Sequence, residues 1–131
     1  MDWQPLLSAA RSARGVAYAP YSRFFVGAAL LAEDGRVFAG ANVENRSFGL
    51  ALCAERAAVA AAVAAGCQRY RALLVLTDAD PPAPPCGLCR ETLAEFCGPD
   101  LEIRLVGRGD AHRDFRLGEL FPEPFRFEPR N

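Results

Sequence analysis

The stretch Ala72-Leu73-Leu74-Val75-Leu76-Thr77 is short and almost wholly apolar, which predicts a strand buried on both faces of a sheet. Helical patterns flank it at residues 53–65 and 87–97, and a further strand is predicted at residues 101–106. Connections of this strand–helix–strand kind are right-handed and lay helices against the sheet. The stretch therefore predicts an α/β fold with a largely parallel sheet and helices on both faces.

The segments outside this unit are predicted to add a hairpin and peripheral helices. Leu6, Leu7 and Ala10 fall at helical spacing, and Asp34-Gly35 is a strong hairpin turn. The predicted boundaries are a helix at residues 2–14, strands at 24–31, 37–43 and 115–117, and a helical turn at 119–121. With 131 residues and no internal repeat, the chain is expected to form a single domain over residues 1–131.

Composition excludes several classes of function. The formal net charge is −1, which gives no electrostatic reason to expect a nucleic-acid or membrane partner. All 15 basic residues are Arg, so a Schiff-base lysine and a Walker-type phosphate loop are excluded. The 5 cysteines are an odd number and no secretory signal is evident, so we expect reduced thiols and a cytoplasmic location.

Two cysteine segments carry the strongest chemical signal, Cys53-Ala54-Glu55 and Pro85-Cys86-Gly87-Leu88-Cys89. Cys86 and Cys89 are three residues apart at the start of a predicted helix and share one face, while Cys53 begins the preceding helix. Three thiolates can hold zinc and leave its fourth position open. An open zinc site beside an acid such as Glu55 performs chemistry on water. The spacing therefore favours a catalytic zinc site at which two helix N-termini converge.

Two other interpretations of the cysteines remain open. A Cys-x-x-Cys pair alone is also typical of a redox site, although the third cysteine argues against that interpretation. Cys67 or Cys97 would complete a closed, structural four-cysteine zinc site. Cys97 lies about 12 Å beyond Cys89 along an unbroken helix, and Cys67 follows the end of its helix that is opposite to Cys53. Both are therefore expected to be ordinary, semi-buried thiols.

At these residues the chain closely resembles the small cytidine deaminases, whose signature is a cysteine or histidine, one residue, then Glu, followed later by Pro-Cys-x-x-Cys. The resemblance extends over nearly the whole chain through motifs in the same order. These are Ala19-Pro20-Tyr21-Ser22, Asn42-Val43-Glu44-Asn45, Cys53-Ala54-Glu55-Arg56, Pro85-Cys86-Gly87-Leu88-Cys89-Arg90 and Glu119-Leu120-Phe121-Pro122. The resemblance implies a three-layer α/β/α sandwich around a five-stranded mixed sheet, and a homotetramer.

The resemblance also implies an activity, namely hydrolytic deamination of cytidine and deoxycytidine in pyrimidine salvage. Glu55 would move protons between the zinc-activated water and the pyrimidine. Cys53, Cys86 and Cys89 would bind zinc, and Arg56 would donate hydrogen bonds to their thiolates. The Ala54 amide would bind the base carbonyl, and Phe24 would pack on the pyrimidine or the sugar. Asn42 and Glu44 would bind the ribose, and Phe125 would contact the site from a neighbouring subunit. Taken singly, Phe24 would be a core residue, and Asn42 and Glu44 solvated strand-end residues.

Some residues depart from the family pattern, and other functions compete. Phe48 stands where the family usually has Tyr, and Arg46 where it has a small residue, which bears on the sugar site or subunit contacts. Deamination of another cytosine nucleoside, such as blasticidin S, is the alternative within the same chemistry. A polynucleotide editor is disfavoured by the near-neutral charge. From a different class, a non-catalytic structural zinc module is the remaining alternative.

Overall fold

A central sheet and four α-helices make up the part of the chain that the computed structural model describes, residues 1–127. The helices are α1 (Gln4–Arg14), α2 (Ala54–Ala64), α3 (Gly87–Phe96) and α4 (Leu117–Leu120). The strands are β1 (Gly27–Ala32), β2 (Val37–Ala41), β3 (Tyr70–Leu76), β4 (Glu102–Val106) and β5 (His112–Arg116). The element order follows the prediction, with boundaries that shift by a few residues.

The sheet is five-stranded and mixed, with strand order β2-β1-β3-β4-β5. Only the β3–β4 pair is parallel, while β1 pairs antiparallel with both β2 and β3, and β5 pairs antiparallel with β4. The prediction of a five-stranded mixed sheet is confirmed, and the prediction of a largely parallel sheet is wrong. The physical reason is that β1 lies between β2 and β3, so the connection through α2 does not join neighbouring strands.

Helices cover both faces of the sheet, which confirms the three-layer α/β/α arrangement. On one face, Leu6 and Ala10 of α1 pack against Leu74 and its neighbours on the sheet. On the other face, Ala58 of α2 and Leu93 of α3 pack against side chains of opposite parity on the same strands. Because successive side chains of a strand point to opposite faces, β3 contributes to both hydrophobic clusters and is buried along almost its whole length.

A close approach between α2 and β2 fixes the position of the first turn of α2. A Cβ atom at Gly40 would lie 2.5 Å from the carbonyl oxygen of Ala54 and 2.5 Å from the backbone nitrogen of Ala58. Only a residue without a side chain allows this separation. Gly40 therefore lets the N-terminus of α2, with its functional residues, lie directly on the sheet.

The strand predicted at residues 24–31 begins only at Gly27. Just before Gly27, side chains and not a neighbouring strand form many of the hydrogen bonds to the backbone. The Nδ2 atom of Asn42 donates to the Phe24 carbonyl at 2.8 Å, and the Val26 amide donates to Asn42 Oδ1 at 2.9 Å. The shift exposes a short irregular segment beside the carboxyl end of β3. Within residues 1–127, no helix has the length and apolar character needed to cross a membrane.

Candidate metal centre and substrate pocket

Three cysteine sulfurs meet where the N-termini of α2 and α3 converge. Cys53 is the N-cap of α2, Cys86 is the N-cap of α3, and Cys89 lies in the first turn of α3. The Sγ atoms of the three residues lie within 4.8 Å of one another. The Cys53–Cys86 and Cys86–Cys89 sulfur separations are 3.7 and 3.5 Å. The predicted convergence of two helix N-termini on one cluster is thus observed.

These separations fit zinc. Tetrahedral zinc with Zn–S bonds of about 2.3 Å places its sulfur ligands about 3.8 Å apart. Among residues 1–127, no fourth cysteine, histidine or carboxylate joins the group. Cys67 and Cys97 lie outside it, and burial raises the pKa of Cys97 to about 12, so that thiol stays protonated. The geometry supports a three-sulfur site with one position left for another ligand, and not a closed four-cysteine site.

The surroundings of Cys53 favour negative charge on its sulfur, whereas hydrogen bonding to Cys53 and burial raise the pKa of Cys89. Hydrogen bonds from Cys89 and then from Arg56 lower the pKa of the Cys53 thiol to about 5. Nη2 of Arg56 lies 3.7 Å from Cys53 Sγ and donates to the Ala51 carbonyl at 3.1 Å. The positive ends of two helix dipoles act in the same direction. Since thiolates are the form that binds metals, Cys53 is the thiol of the cluster that is best suited to take up a cation first.

Glu55 lies in the first turn of α2, two residues after Cys53, and is only 6% exposed. Burial, with a smaller contribution from the negative charge on Cys53, raises the pKa of its carboxyl above the ordinary value. Desolvation disfavours the charged form of a carboxylic acid, which makes the group a better proton acceptor and donor near neutral pH. Glu55 therefore has the environment expected of an acid–base residue.

A cavity of about 230 Å³ opens onto Glu55 and the cluster. It brings together most of the residues that the sequence predicted for the site. The predicted residues that line it are Phe24, Asn42, Glu44, Cys53, Ala54, Glu55 and Cys86. Cys89 is fully buried behind the cavity wall, as a metal ligand can be. The predicted residues thus form one site although they come from four separate segments of the chain.

Phe125 is the exception. It does not line the cavity of its own chain, and its side chain is 78% exposed. Phe48 is similarly exposed and contacts Tyr21 edge to face, with ring centroids 6.2 Å apart. The structure of one chain therefore leaves both side chains without a place in the site.

The structure adds cavity residues that sequence reasoning did not assign. They are Val26, Ala51, Leu52, Val75, Thr77, Ala83 and Pro84. Thr77 directly follows β3, and a polar residue at the carboxyl end of a strand in an α/β fold was a usable signal for a site residue. Ala83 and Pro84 belong to the proline-rich segment before Cys86, which places that segment at the rim of the cavity.

Comparisons with known proteins agree with this geometry. Residues 2–103 match the family model described as the cytidine and deoxycytidylate deaminase zinc-binding region. A cytidine deaminase of Halalkalibacterium halodurans is 45% identical over 131 residues, 100% of this chain and 99% of that protein. One from Mycobacterium tuberculosis is 46% identical over 125 residues, 95% of this chain and 90% of that protein.

Solved structures lead to the same family. The crystal structure of a cytidine deaminase from Burkholderia pseudomallei has a TM-score of 0.90 and 45% sequence identity, covering 95% of this chain and 100% of that chain. The sequence resemblance is therefore confirmed, and the cofactor is zinc, which the group of three cysteines could bind. By sequence, by fold and by the chemistry of its metal centre, this chain belongs to the zinc-dependent cytidine and deoxycytidylate deaminase family.

Proposed function

We propose that this protein is a cytidine deaminase, which hydrolyses cytidine and deoxycytidine to uridine and deoxyuridine with release of ammonia. One observation carries the proposal: a buried carboxylic acid, Glu55, lines the same cavity as two cysteines of the three-sulfur cluster and a second carboxylate, Glu44. Glu55 and the sulfur cluster together suit chemistry on the base, and Glu44 suits recognition of sugar hydroxyls.

The charge of the cavity favours a nucleoside over a nucleotide. Among the described residues that line the cavity, none is basic. Hydrogen bonds from Ser22 and Tyr21 lower the pKa of Glu44, so its carboxylate is negative at neutral pH. A substrate phosphate would meet this carboxylate without a compensating cation. The family includes deaminases of nucleosides and of nucleotides, and the charge of this cavity favours the uncharged nucleoside.

Cys53, Cys86 and Cys89 would hold zinc, which would supply Lewis-acid activation of water. Glu55 would carry two protons in turn from the attacking water, the first to a ring nitrogen of the pyrimidine and the second to the leaving amine, a role that its burial and raised pKa support. The amide of Ala54 is at the first position of α2, where a backbone N–H has no partner within the helix. We assign that donor to the carbonyl oxygen of the base.

Three further residues that line the cavity are assigned to the nucleoside. Phe24 packs on the pyrimidine or the ribose, and Asn42 and Glu44 bind ribose hydroxyls. The positions of all three residues in the cavity lining support these roles. Nη2 of Arg56, near Cys53 Sγ, draws negative charge from the cluster.

We further propose that the protein is a homotetramer in which Phe125 reaches the cavity of a neighbouring subunit. Exposed apolar side chains support this proposal, among them Phe48, Leu50 and Leu88. A single domain over residues 1–131, a cytoplasmic location and a role in pyrimidine salvage complete the proposal. The described cysteines are all free thiols, which supports a reducing compartment.

Turnover of cytidine by zinc-loaded protein, followed by the ultraviolet change of uridine formation, tests the activity. We expect cytidine and deoxycytidine to be deaminated and cytidine monophosphate to be deaminated far more slowly. No turnover of either nucleoside at full zinc occupancy would contradict the proposal, and turnover of blasticidin S alone would favour the alternative. Faster turnover of the monophosphate would contradict the charge argument.

A further inference from the structure

The carboxylate of Glu44 is held by a short segment that also carries Phe24. Oε1 of Glu44 accepts hydrogen bonds from the backbone amides of Tyr21 and Ser22 at 3.0 and 3.1 Å. Oε2 accepts a hydrogen bond from the Ser22 hydroxyl. Thus all three protein donors to this carboxylate come from two adjacent residues, and Ser22 supplies two of them.

The Ser22 hydroxyl also connects the Glu44 side chain to the backbone of Phe24, and both residues line the cavity. Its Oγ atom accepts a hydrogen bond from the Phe24 amide at 3.0 Å while it donates to Glu44. Arg23, which lies between Ser22 and Phe24 in the sequence, has a φ of 59°, in the left-handed region that is unfavourable for a residue with a side chain. The bond between Ser22 Oγ and the Phe24 amide spans this turn, and the bond to Glu44 ties the turn to the segment after β2.

Counting acceptor positions shows what remains for a substrate. An ionised carboxylate has about four lone-pair positions. Three of those on Glu44 are occupied, two on Oε1 and one on Oε2. The remaining position is on Oε2, and its direction is set by where the Ser22 hydroxyl binds. Glu44 therefore has room for one strong hydrogen bond from a sugar.

We propose that Ser22 is a positioning residue that directs the one free acceptor position of Glu44 at a single sugar hydroxyl and thereby sets the affinity for the nucleoside sugar. The inference rests on the proposed function of the same cavity. The hydrogen bonds from Ser22 are also the main cause of the lowered pKa of Glu44, which keeps that acceptor ionised.

The test compares Ser22→Ala, Ser22→Thr, Glu44→Gln and the double variant Ser22→Ala/Glu44→Gln in zinc-loaded protein. The substrates are cytidine, 2′-deoxycytidine and 3′-deoxycytidine, each of the latter two lacking one hydroxyl. We expect Ser22→Ala to raise KM for cytidine about tenfold, the usual effect of losing a hydrogen bond to a charged group. We expect kcat to change by less than about twofold, because the lost interaction is with the sugar and not the reacting base.

Selectivity separates positioning from general destabilisation. Ser22→Ala should lose most of the preference for cytidine over whichever deoxynucleoside lacks the recognised hydroxyl, and Ser22→Thr should restore it. The Ala substitution should add little in the Glu44→Gln background, because both act on one interaction. Calorimetric titration with uridine, the product, gives the same comparison without turnover.

Several results would overturn the proposal. They are an equal loss of kcat/KM for all three nucleosides, additive effects of the two substitutions, or an unchanged KM in Ser22→Ala. Ser8→Ala, on an exposed position of α1, is the matched control, with zinc content and Tm measured for every variant. If the wild-type protein fails to deaminate cytidine, the proposed function fails as well; if only the Ser22 pattern fails, that function stands.

Discussion

Arg90 of α3 donates from Nη1 to the carbonyl oxygen of Leu120, at 3.1 Å, at the end of α4. Its Nε atom donates to the Pro85 carbonyl at 2.9 Å, directly before Cys86 of the sulfur cluster. One guanidinium therefore joins the cysteine loop to the C-terminal segment that leads to Phe125. Arg90 is half-buried, so these bonds are partly shielded from water.

Replacing Arg90 by Ala should lower the free energy of unfolding by about 2 kcal/mol, because two carbonyl groups lose a charged donor. Zinc affinity should fall as well, since the loop before Cys86 is no longer fixed. Thermal unfolding and chelator competition measure the two effects. Arg71→Ala, at an exposed arginine of β3, is the control, and an equal loss of stability there would show that Arg90 has no special role.

The cysteines should separate into two groups by metal content. Cys89→Ala should lose zinc and thermal stability together, because one ion ties α2 to α3. Cys97→Ala should keep one zinc per chain, since Cys97 lies outside the cluster. Elemental analysis after dialysis measures both. Loss of zinc in Cys97→Ala would restore the closed four-cysteine interpretation.

Glu55→Gln should keep zinc and fold normally while kcat falls by at least about 10² to 10⁴-fold. The amide has nearly the same shape as the acid but cannot carry the proton. Steady-state kinetics with elemental analysis of the same samples tests this. Retention of both zinc and deaminase activity would contradict the acid–base role of Glu55.

A cross-strand ion pair predicts a pH dependence of stability away from the site. Arg104 Nε and Nη2 bind the two oxygens of Asp114, each at 2.8 Å, between directly opposed positions of β4 and β5. The hydrogen bonds from Arg104 lower the pKa of Asp114 below its ordinary value of 3.8. The folded state therefore binds the Asp114 proton less tightly than the unfolded state does.

It follows that this pair stabilises the fold above the unfolded pKa of Asp114 and that its contribution is lost as pH falls through the lower, folded value. Because the pair is partly exposed, Asp114→Asn should cost only up to about 1 kcal/mol at neutral pH. Denaturant unfolding of both proteins at neutral and strongly acidic pH measures the difference. A difference that grows at acidic pH would contradict the assigned ion pair.

Part of the metal centre was predictable from the sequence because its geometry is local. Cys86 and Cys89 are three residues apart at the start of one helix, so their spacing brings these two thiols together. The approach of Cys53 depends on how α2 packs against α3, which spacing alone does not specify. Helix ends were predictable for a similar reason, because glycine and proline residues close to the end of a helix mark where it stops. Gly66, with a φ of 87°, lies two residues after the end of α2.

The features that the sequence did not predict depend on distant contacts. The strand expected at residue 24 begins at Gly27 because a side chain 18 positions away, that of Asn42, takes up the intervening backbone groups. The sheet is not largely parallel because a hairpin strand is inserted into it. Phe125 does not line the cavity of its own chain, and the role proposed for it depends on a second copy of the chain.

The insertion of β1 between β2 and β3 also constrains how the chain folds during synthesis. β1 can pair with β2 as soon as the hairpin leaves the ribosome, but its second partner, β3, begins only at Tyr70. Cys86 is synthesised 33 residues after Cys53, and only then can a metal ion bridge the two sulfurs and close the intervening loop. The complete sulfur cluster therefore cannot form before residues 86–89 are synthesised, and a nascent chain that stops before Cys86 lacks two of its three thiols.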